Sequence, residues 1–287
     1  VDYKEAIKYY KMAIDKGHPS AMNNYAFMLK NGQGVEVDYR KAIKYYKMAI
    51  DKGLPSAMYN YAFMLQNGQG VEVDYKEAIK YYKMAIDKGH SSAMSNYARM
   101  LINGQGVEVD YKEAIKYCKM AIDKGLGAAH NHYGYMLEHG LGVEVDYKEA
   151  IKHYKIAIDK GYSLAMTNYA NIVYNGKGVA KNEEEGIKYY KKAICKNEPE
   201  ALLTYGLILF NKNETLEEKE EGLSYIKKSV DKGNSKALYE YGRLLEEGLI
   251  ETTDKNEIIE YYEKASQKGN KEAEKALQRI RNDNTNK

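Results

Sequence analysis

A chain of 287 residues with 44% hydrophobic and 30% charged residues has enough apolar material to fold, which argues against disorder. Its net charge of +3 and pI near 8.4 are too mild to demand a nucleic-acid partner, and no run approaches the roughly 18 apolar residues that a membrane-spanning helix needs. Two cysteines, Cys118 and Cys195, make no spaced disulfide framework, which points to a reducing, cytoplasmic setting. Thirty tyrosines beside no Trp and three Phe, in a background rich in Lys, Asn and Ile, suggest the codon bias of an AT-rich genome such as a protist's.

The chain repeats itself every 36 residues. Ala21, Ala57, Ala93, Ala129, Ala165, Ala201, Ala237 and Ala273 mark the period without insertion or deletion. Gly17, Gly53, Gly89, Gly125, Gly161, Gly233 and Gly269 share a register broken only by Asn197, and Tyr25 to Tyr241 share another.

In chain order, residues 1–17 read as a second helix of a repeat without its first, with Asp2 and Glu5 at capping-box spacing. An opening in mid-repeat, without an initiator Met, implies a longer chain. Residues 18–269 then hold seven repeats, of which His18 to Gly53 is the pattern. Ala21, Met22, Tyr25, Ala26, Met28 and Leu29 cover one side of a first helix, helix A, which Asn31-Gly32-Gln33-Gly34 stops. Helix B follows from Asp38 to Lys52, with Asp38 as N-cap and Gly53 beyond its end. Tyr39, Ala42, Ile43, Tyr46, Ala49 and Ile50 form its apolar face, and Arg40, Lys44, Lys47 and Asp51 the other. Two such helices cannot bury both apolar faces alone, so neighbouring repeats must stack into one continuous core. The sixth repeat departs: Lys212 and Glu214 replace its turn glycines and Glu217 to Glu221 opens its helix B, so its turn is expected to differ. Residues 270–287 read as a capping helix and polar tail, with Ala273, Leu277 and Ile280 inward.

The order Ala21, Gly32, Gly34, Val35, Asp38, Ala42, Tyr45, Ala49, Gly53 resembles the Sel-one-like repeat, a relative of the tetratricopeptide repeat, over nearly the whole chain. Tyr25 and Leu29 stand where that pattern has Leu and Tyr, and Ala26, Ala62, Ala98 and Ala170 stand for a usual Gly. The resemblance implies an all-α, right-handed α-solenoid. It also implies an adaptor, since proteins similar to this family include quality-control scaffolds of the endoplasmic reticulum, activators of cell-wall synthases, kinase-associated regulators and bacterial effectors or surface proteins. Fold alone does not choose among these. A cysteine-paired secreted branch linked with cell-wall chemistry is not matched by Cys118 and Cys195.

Three columns vary along helix A and share one side of it, expected to be the concave surface. The first is Asn23, Tyr59, Ser95, Asn131, Thr167, Leu203, Tyr239; the second Phe27, Phe63, Arg99, Tyr135, Asn171, Leu207, Arg243; the third Lys30, Gln66, Ile102, Glu138, Tyr174, Phe210, Glu246. Such aromatics and arginines dominate binding energies when desolvated, although exposed positions also drift. Asn24, Asn60, Asn96 and Asn168, with His132 in the same register, form a column whose amides suit either a peptide backbone or an inter-repeat bond. On the outer face Lys8, Lys44, Lys80, Lys116, Lys152 and Lys188 run beside Lys11, Lys47, Lys83, Lys119, Lys155 and Lys191. Lys and Arg outnumber Asp and Glu 24 to 19 up to residue 180, against 20 to 22 beyond it. That asymmetry suits an acidic protein surface better than nucleic acid, although Asp15, Asp51 and Asp87 interrupt the stripe and favour a simple solvated face.

Catalytic chemistry is not evident. The Gly-x-Gly turns lack the strand and third glycine of a dinucleotide site. His130, His132, His139 and His153 concentrate in one repeat, but each replaces a repeat-column residue and their spacing suits structural substitution rather than zinc. Met12, Met48, Met84 and Met120 read as inter-repeat packing. The expectation is therefore a non-enzymatic adaptor without cofactor or metal, holding a partner peptide or helix on helix A. Alternatives are a component of a large, even cytoskeletal, assembly, a regulatory region of a longer protein such as a kinase, and a luminal scaffold glycosylated at Asn213-Glu214-Thr215.

Overall fold

The computed structural model describes residues 2–212, 215–251 and 254–285, so the Asn213-Glu214 part of the sequon lies outside the described residues. Sixteen α-helices and no strand are found among them. The chain divides into two compact units, Val1–Gly161 and Tyr162–Lys287. The first holds α1 (Tyr3–Asp15) and four hairpins: α2 (Pro19–Asn31) with α3 (Tyr39–Asp51), α4 (Pro55–Asn67) with α5 (Tyr75–Asp87), α6 (Ser91–Asn103) with α7 (Tyr111–Asp123), and α8 (Gly127–His139) with α9 (Tyr147–Asp159). The second holds three: α10 (Leu164–Asn175) with α11 (Glu183–Cys195), α12 (Pro199–Lys212) with α13 (Leu216–Asp231), and α14 (Ser235–Glu246) with α15 (Lys255–Gln267), followed by α16 (Lys271–Thr285). The fold is an all-α solenoid of 36-residue repeats.

The caps read from the sequence set these bounds. Asp74, Asp110 and Asp146 each accept the backbone N–H of the Glu three residues on, at 2.9 Å, and Asp38 does the same for Lys41. Helix A begins two residues before Ala21, because Pro19 and Pro55 occupy the first helical position, where a missing N–H costs nothing. At the far end of helix B, Gly53 turns left-handed at φ 79° and Leu54 N–H closes on Ala49 C=O at 3.1 Å. Asn197, which breaks that glycine column, is the one described non-glycine with positive φ, at 58°. Asn tolerates this region better than other side chains.

In the first unit one core runs from Ile7 on α1 to Met136 on α8. Ala42, Tyr46, Ala49, Ala57 and Ala62 have no exposed surface, so helices approach closely over methyl groups. In the second unit apolar residues gather in separate clusters: Ala170, Tyr190, Tyr205 and Leu209; Leu203, Phe210, Ile226 and Tyr241; and Leu238, Tyr262, Ala273 and Leu277 beneath α16. The sixth repeat differs as expected. Its helix A continues through Lys212 and its helix B starts at Leu216, capped by Thr215. Gly206 and Gly222 face each other there, and a Cβ on Gly222 would stand 2.6 Å from the Gly206 carbonyl oxygen.

The second glycine of each Gly-x-Gly turn is fixed by two requirements. Gly70 has φ 73°, and an added Cβ would overlap Cβ of Tyr39 at the start of the preceding helix B. Gly70→Ala therefore combines left-handed strain with a clash against a helix start, and should destabilise by about 2–4 kcal/mol. Urea unfolding checks this; an unchanged midpoint would show that the turn relaxes freely.

Candidate functional site

The three variable columns of helix A have different fates. The third pairs with a buried position 16 residues later on helix B. Tyr82 donates its hydroxyl hydrogen to Gln66 Oε1 at 2.9 Å, Tyr154 to Glu138 Oε2 at 2.9 Å and Tyr262 to Glu246 Oε2 at 2.8 Å. Burial pushes all three phenols upward, so each remains a donor. Where helix B carries Cys118 or Ile226 instead, helix A carries apolar Ile102 or Phe210 at the matching position, all buried. In the fifth repeat Tyr174 lies 6.1 Å from the Tyr190 ring, and Tyr190 donates to Asn171 Oδ1 at 2.5 Å. This column answers to the partner that a buried hydroxyl requires. Phe210, expected as a surface contact, is only 4% exposed and belongs to the core, because Ile226 offers it an apolar seat.

The first column and the asparagines hold neighbouring repeats together. Asn60 Nδ2 donates to Asn23 Oδ1 at 2.9 Å, and Asn23 Nδ2 donates to Asn24 Oδ1 at 3.2 Å. Asn96 Nδ2 donates to the Tyr82 hydroxyl at 3.2 Å. Asn24 is exposed, whereas Asn168 is half-buried and engaged by other residues. Tyr59 stacks on His90, ring centroids 4.9 Å apart. His132 is another correction to the surface set. It is buried against Ser95, with Oγ and Nδ1 3.1 Å apart, and burial followed by the Arg99 charge lowers its pKa to about 4.

The second column stays open in the first unit and is partly engaged in the second. In the first unit Phe27 is 41% exposed, Phe63 and Arg99 are half-buried, and Tyr135 is exposed with its ring 4.1 Å from that of His139. Lys30 is half-buried with its ammonium 5.2 Å from the centres of both Phe27 and Phe63. In the second unit Tyr174, Leu203, Leu207, Ile208 and Tyr239 line an open groove of about 940 Å³ bounded by Glu200, Lys236, Lys271 and Glu272. Asn171 is engaged by Tyr190, and Arg243 pairs with Glu240 at 2.9 Å and Glu247 at 2.7 Å. The sequence reading missed Ile208, which has the core register of Met28, and the Lys30 sandwich, which requires rings from two successive repeats.

A Sel1 repeat model matches residues 1–18, 19–54, 55–90, 91–126, 127–162, 163–198 and 235–270. The chain belongs to the Sel1 repeat family. Residues 199–234, whose turn lacks its glycines, are the repeat it passes over. A Sel1 repeat protein from Oxalobacter formigenes is 28% identical, with a TM-score of 0.66 over 80% of this chain and 94% of that one. A protective antigen of uropathogenic Escherichia coli with the same repeat fold is also 28% identical, with a TM-score of 0.58 over 97% of this chain, which spans only 60% of the antigen's length. An immunity protein from Pseudomonas aeruginosa, at 17% identity and TM-score 0.52 over 74% of this chain and 80% of its own, shares the fold alone. No curated protein matches the chain by sequence.

The lysine ladders of this Sel1 repeat chain have structural work, most regularly the one that contains Lys47. Lys47 and Lys83 lie 5.1 Å from the ring centres of Tyr61 and Tyr97 in the next helix A, and Lys11 and Lys119 take the same position over Tyr25 and Tyr133 at 5.6 Å. Those tyrosines also meet Tyr81 and Tyr117 edge-on at 4.9 and 5.1 Å, which accounts for much of the tyrosine richness. His130 and His153 face each other Nδ1 to Nδ1 at 2.9 Å, with burial lowering both pKa values. Among the described residues no group of three His, Cys, Asp or Glu is arranged to hold a metal.

His132 gives a pH dependence of definite sign. The folded state keeps it neutral down to about pH 4, while the unfolded chain takes up a proton near 6.5. More protons are bound in the unfolded state between those values, so stability falls as pH drops through that window and the loss levels off below it. The contribution reaches roughly 3 kcal/mol. His132→Asn, the residue this column carries at 24, 60, 96 and 168, should remove that part of the slope in urea midpoints measured from pH 7 to 4; identical slopes would contradict the assignment.

Proposed function

We propose that the chain is a non-enzymatic scaffold that holds a peptide or helix of a partner protein along the open side of helix A. Sel1 repeats generally serve protein–protein interaction. The observation that carries the reading to a particular face is that Phe27, Phe63, Arg99 and Tyr135 remain accessible, while the columns beside them are used by buried tyrosines and inter-repeat hydrogen bonds. Aromatic and arginine side chains held on rigid helices lose little entropy on binding and carry large interface energies. The second unit has a groove of its own over Leu207 and Tyr239, with an apolar floor and a charged rim.

The lysine ridge is the weaker candidate, because lysines of both its rows already lie over tyrosine rings. Free Cys118 and Cys195 support a reducing, cytoplasmic setting. No helix among the described residues is long and apolar enough to cross a membrane.

Photo-crosslinking amino acids placed singly at Phe63, Tyr135 and Leu207, and for comparison at Lys44 and Lys116, test the reading in the native cell. One partner crosslinked from the first three positions and not the last two is the expected result. Adducts confined to Lys44 and Lys116 would overturn it in favour of an assembly component gripped by its outer face.

A further inference from the structure

We infer that the helix A face of the first unit takes an acidic peptide, with Lys30 and Arg99 binding two of its carboxylates. This rests on the helix A reading above and adds the chemistry of the partner. Lys30 is held half-desolvated between Phe27 and Phe63, and Arg99 is half-buried on α6, where its charge acts on Tyr59, Tyr82 and His132. Neither has a carboxylate partner among the described residues. Partly buried cations without counter-charge are unfavourable in a free protein and gain most when an anion arrives.

The first helices of these repeats supply no such anion. Across α2, α4, α6 and α8 the sole carboxylate is Glu138, which is buried and accepts the Tyr154 hydroxyl. The second unit is the contrast: Arg243 is bracketed by Glu240 and Glu247, and Lys236 is met by Glu200 at 2.7 Å, so its helix A residues satisfy one another. The missing negative charge in the first unit defines what its partner must bring.

Spacing adds a second condition. Lys30 on α2 and Arg99 on α6 lie two repeats apart, and helices packed at 8–10 Å separate them by about 20 Å. An extended peptide covers that distance in about six residues at ~3.3 Å each. Phe63 and Tyr59 lie on the intervening α4, where an apolar side chain between the two acids would meet them, and Asn24 offers an exposed amide to the peptide backbone. Two cations are too few to neutralise the phosphates of a nucleic acid crossing the same helices, which favours the peptide.

The test uses the whole chain and fluorescence anisotropy, with three labelled probes: a peptide of about twelve residues carrying Glu pairs six positions apart around a Leu-Phe centre, its Gln counterpart, and a single-stranded RNA of similar length. The acidic peptide should bind at least tenfold more tightly than the Gln peptide, and more tightly than the RNA. Lys30→Met and Arg99→Met should each weaken it at least fivefold, and an unchanged circular dichroism melt keeps that loss from being read as unfolding. Equal binding of the two peptides, preference for RNA, or indifference to both substitutions would overturn the proposal. If the photo-crosslinks still fall on helix A, this inference alone fails. If Lys44→Gln and Lys80→Gln abolish peptide binding instead, the peptide lies on the ridge and both readings fail together.

Discussion

A phenol buried between helices keeps its hydroxyl hydrogen and has to place it. In these repeats Tyr82, Tyr154, Tyr190 and Tyr262 carry that requirement on helix B, and the neighbouring helix A answers it with an amide or a carboxylate. An unsatisfied buried group costs about 1–3 kcal/mol, enough to fix the identity of a position that otherwise resembles an exposed, drifting one. Where the phenol is replaced by Cys118 or Ile226, the helix A partner becomes apolar in step. The first repeat is the exception: the Tyr46 hydroxyl is buried without a partner among the described residues, and Lys30 in the matching column sits between phenylalanine rings. The irregularity and the candidate ligand-binding cation fall in the same place.

The repeat period, the helix bounds and the caps were legible in the sequence because each rests on local chemistry: Asp at the N-cap, Gly at a left-handed φ, alanine where helices touch. Asn197 shows how literal that legibility is, since the one break in the glycine column is the one described non-glycine held at positive φ. The sixth repeat was legible for the same reason, through its missing turn glycines.

The division of labour among the helix A columns was not legible. Residues at Phe27, Asn24 and Lys30 share one side of a helix, and periodicity alone gives them equal claim to a partner. The fold separates them by what lies opposite: a neighbouring amide for Asn60, a buried phenol for Gln66, a serine for His132, and for the exposed Phe27 ring only the Lys30 ammonium. His132 and Phe210 were misjudged because burial at those positions depends on Ser95 and Ile226, which lie 37 and 16 residues away in sequence. The two units also differ in how their charges are satisfied, internally in the second and incompletely in the first, although their repeats descend from one pattern.

Hydrogen-bonding demand, rather than partner binding, sets the third column and leaves Phe27, Phe63, Arg99 and Tyr135 of the second open. A double-mutant cycle on Gln66 and Tyr82, read by urea denaturation, tests this most directly. Gln66→Leu alone should destabilise by about 1–3 kcal/mol by leaving the hydroxyl hydrogen without its acceptor, and Tyr82→Phe in that background should recover part of the loss, with a coupling energy of about 1 kcal/mol. Strictly additive losses would mean that the pair is independent, and would return the third column to the candidate binding surface.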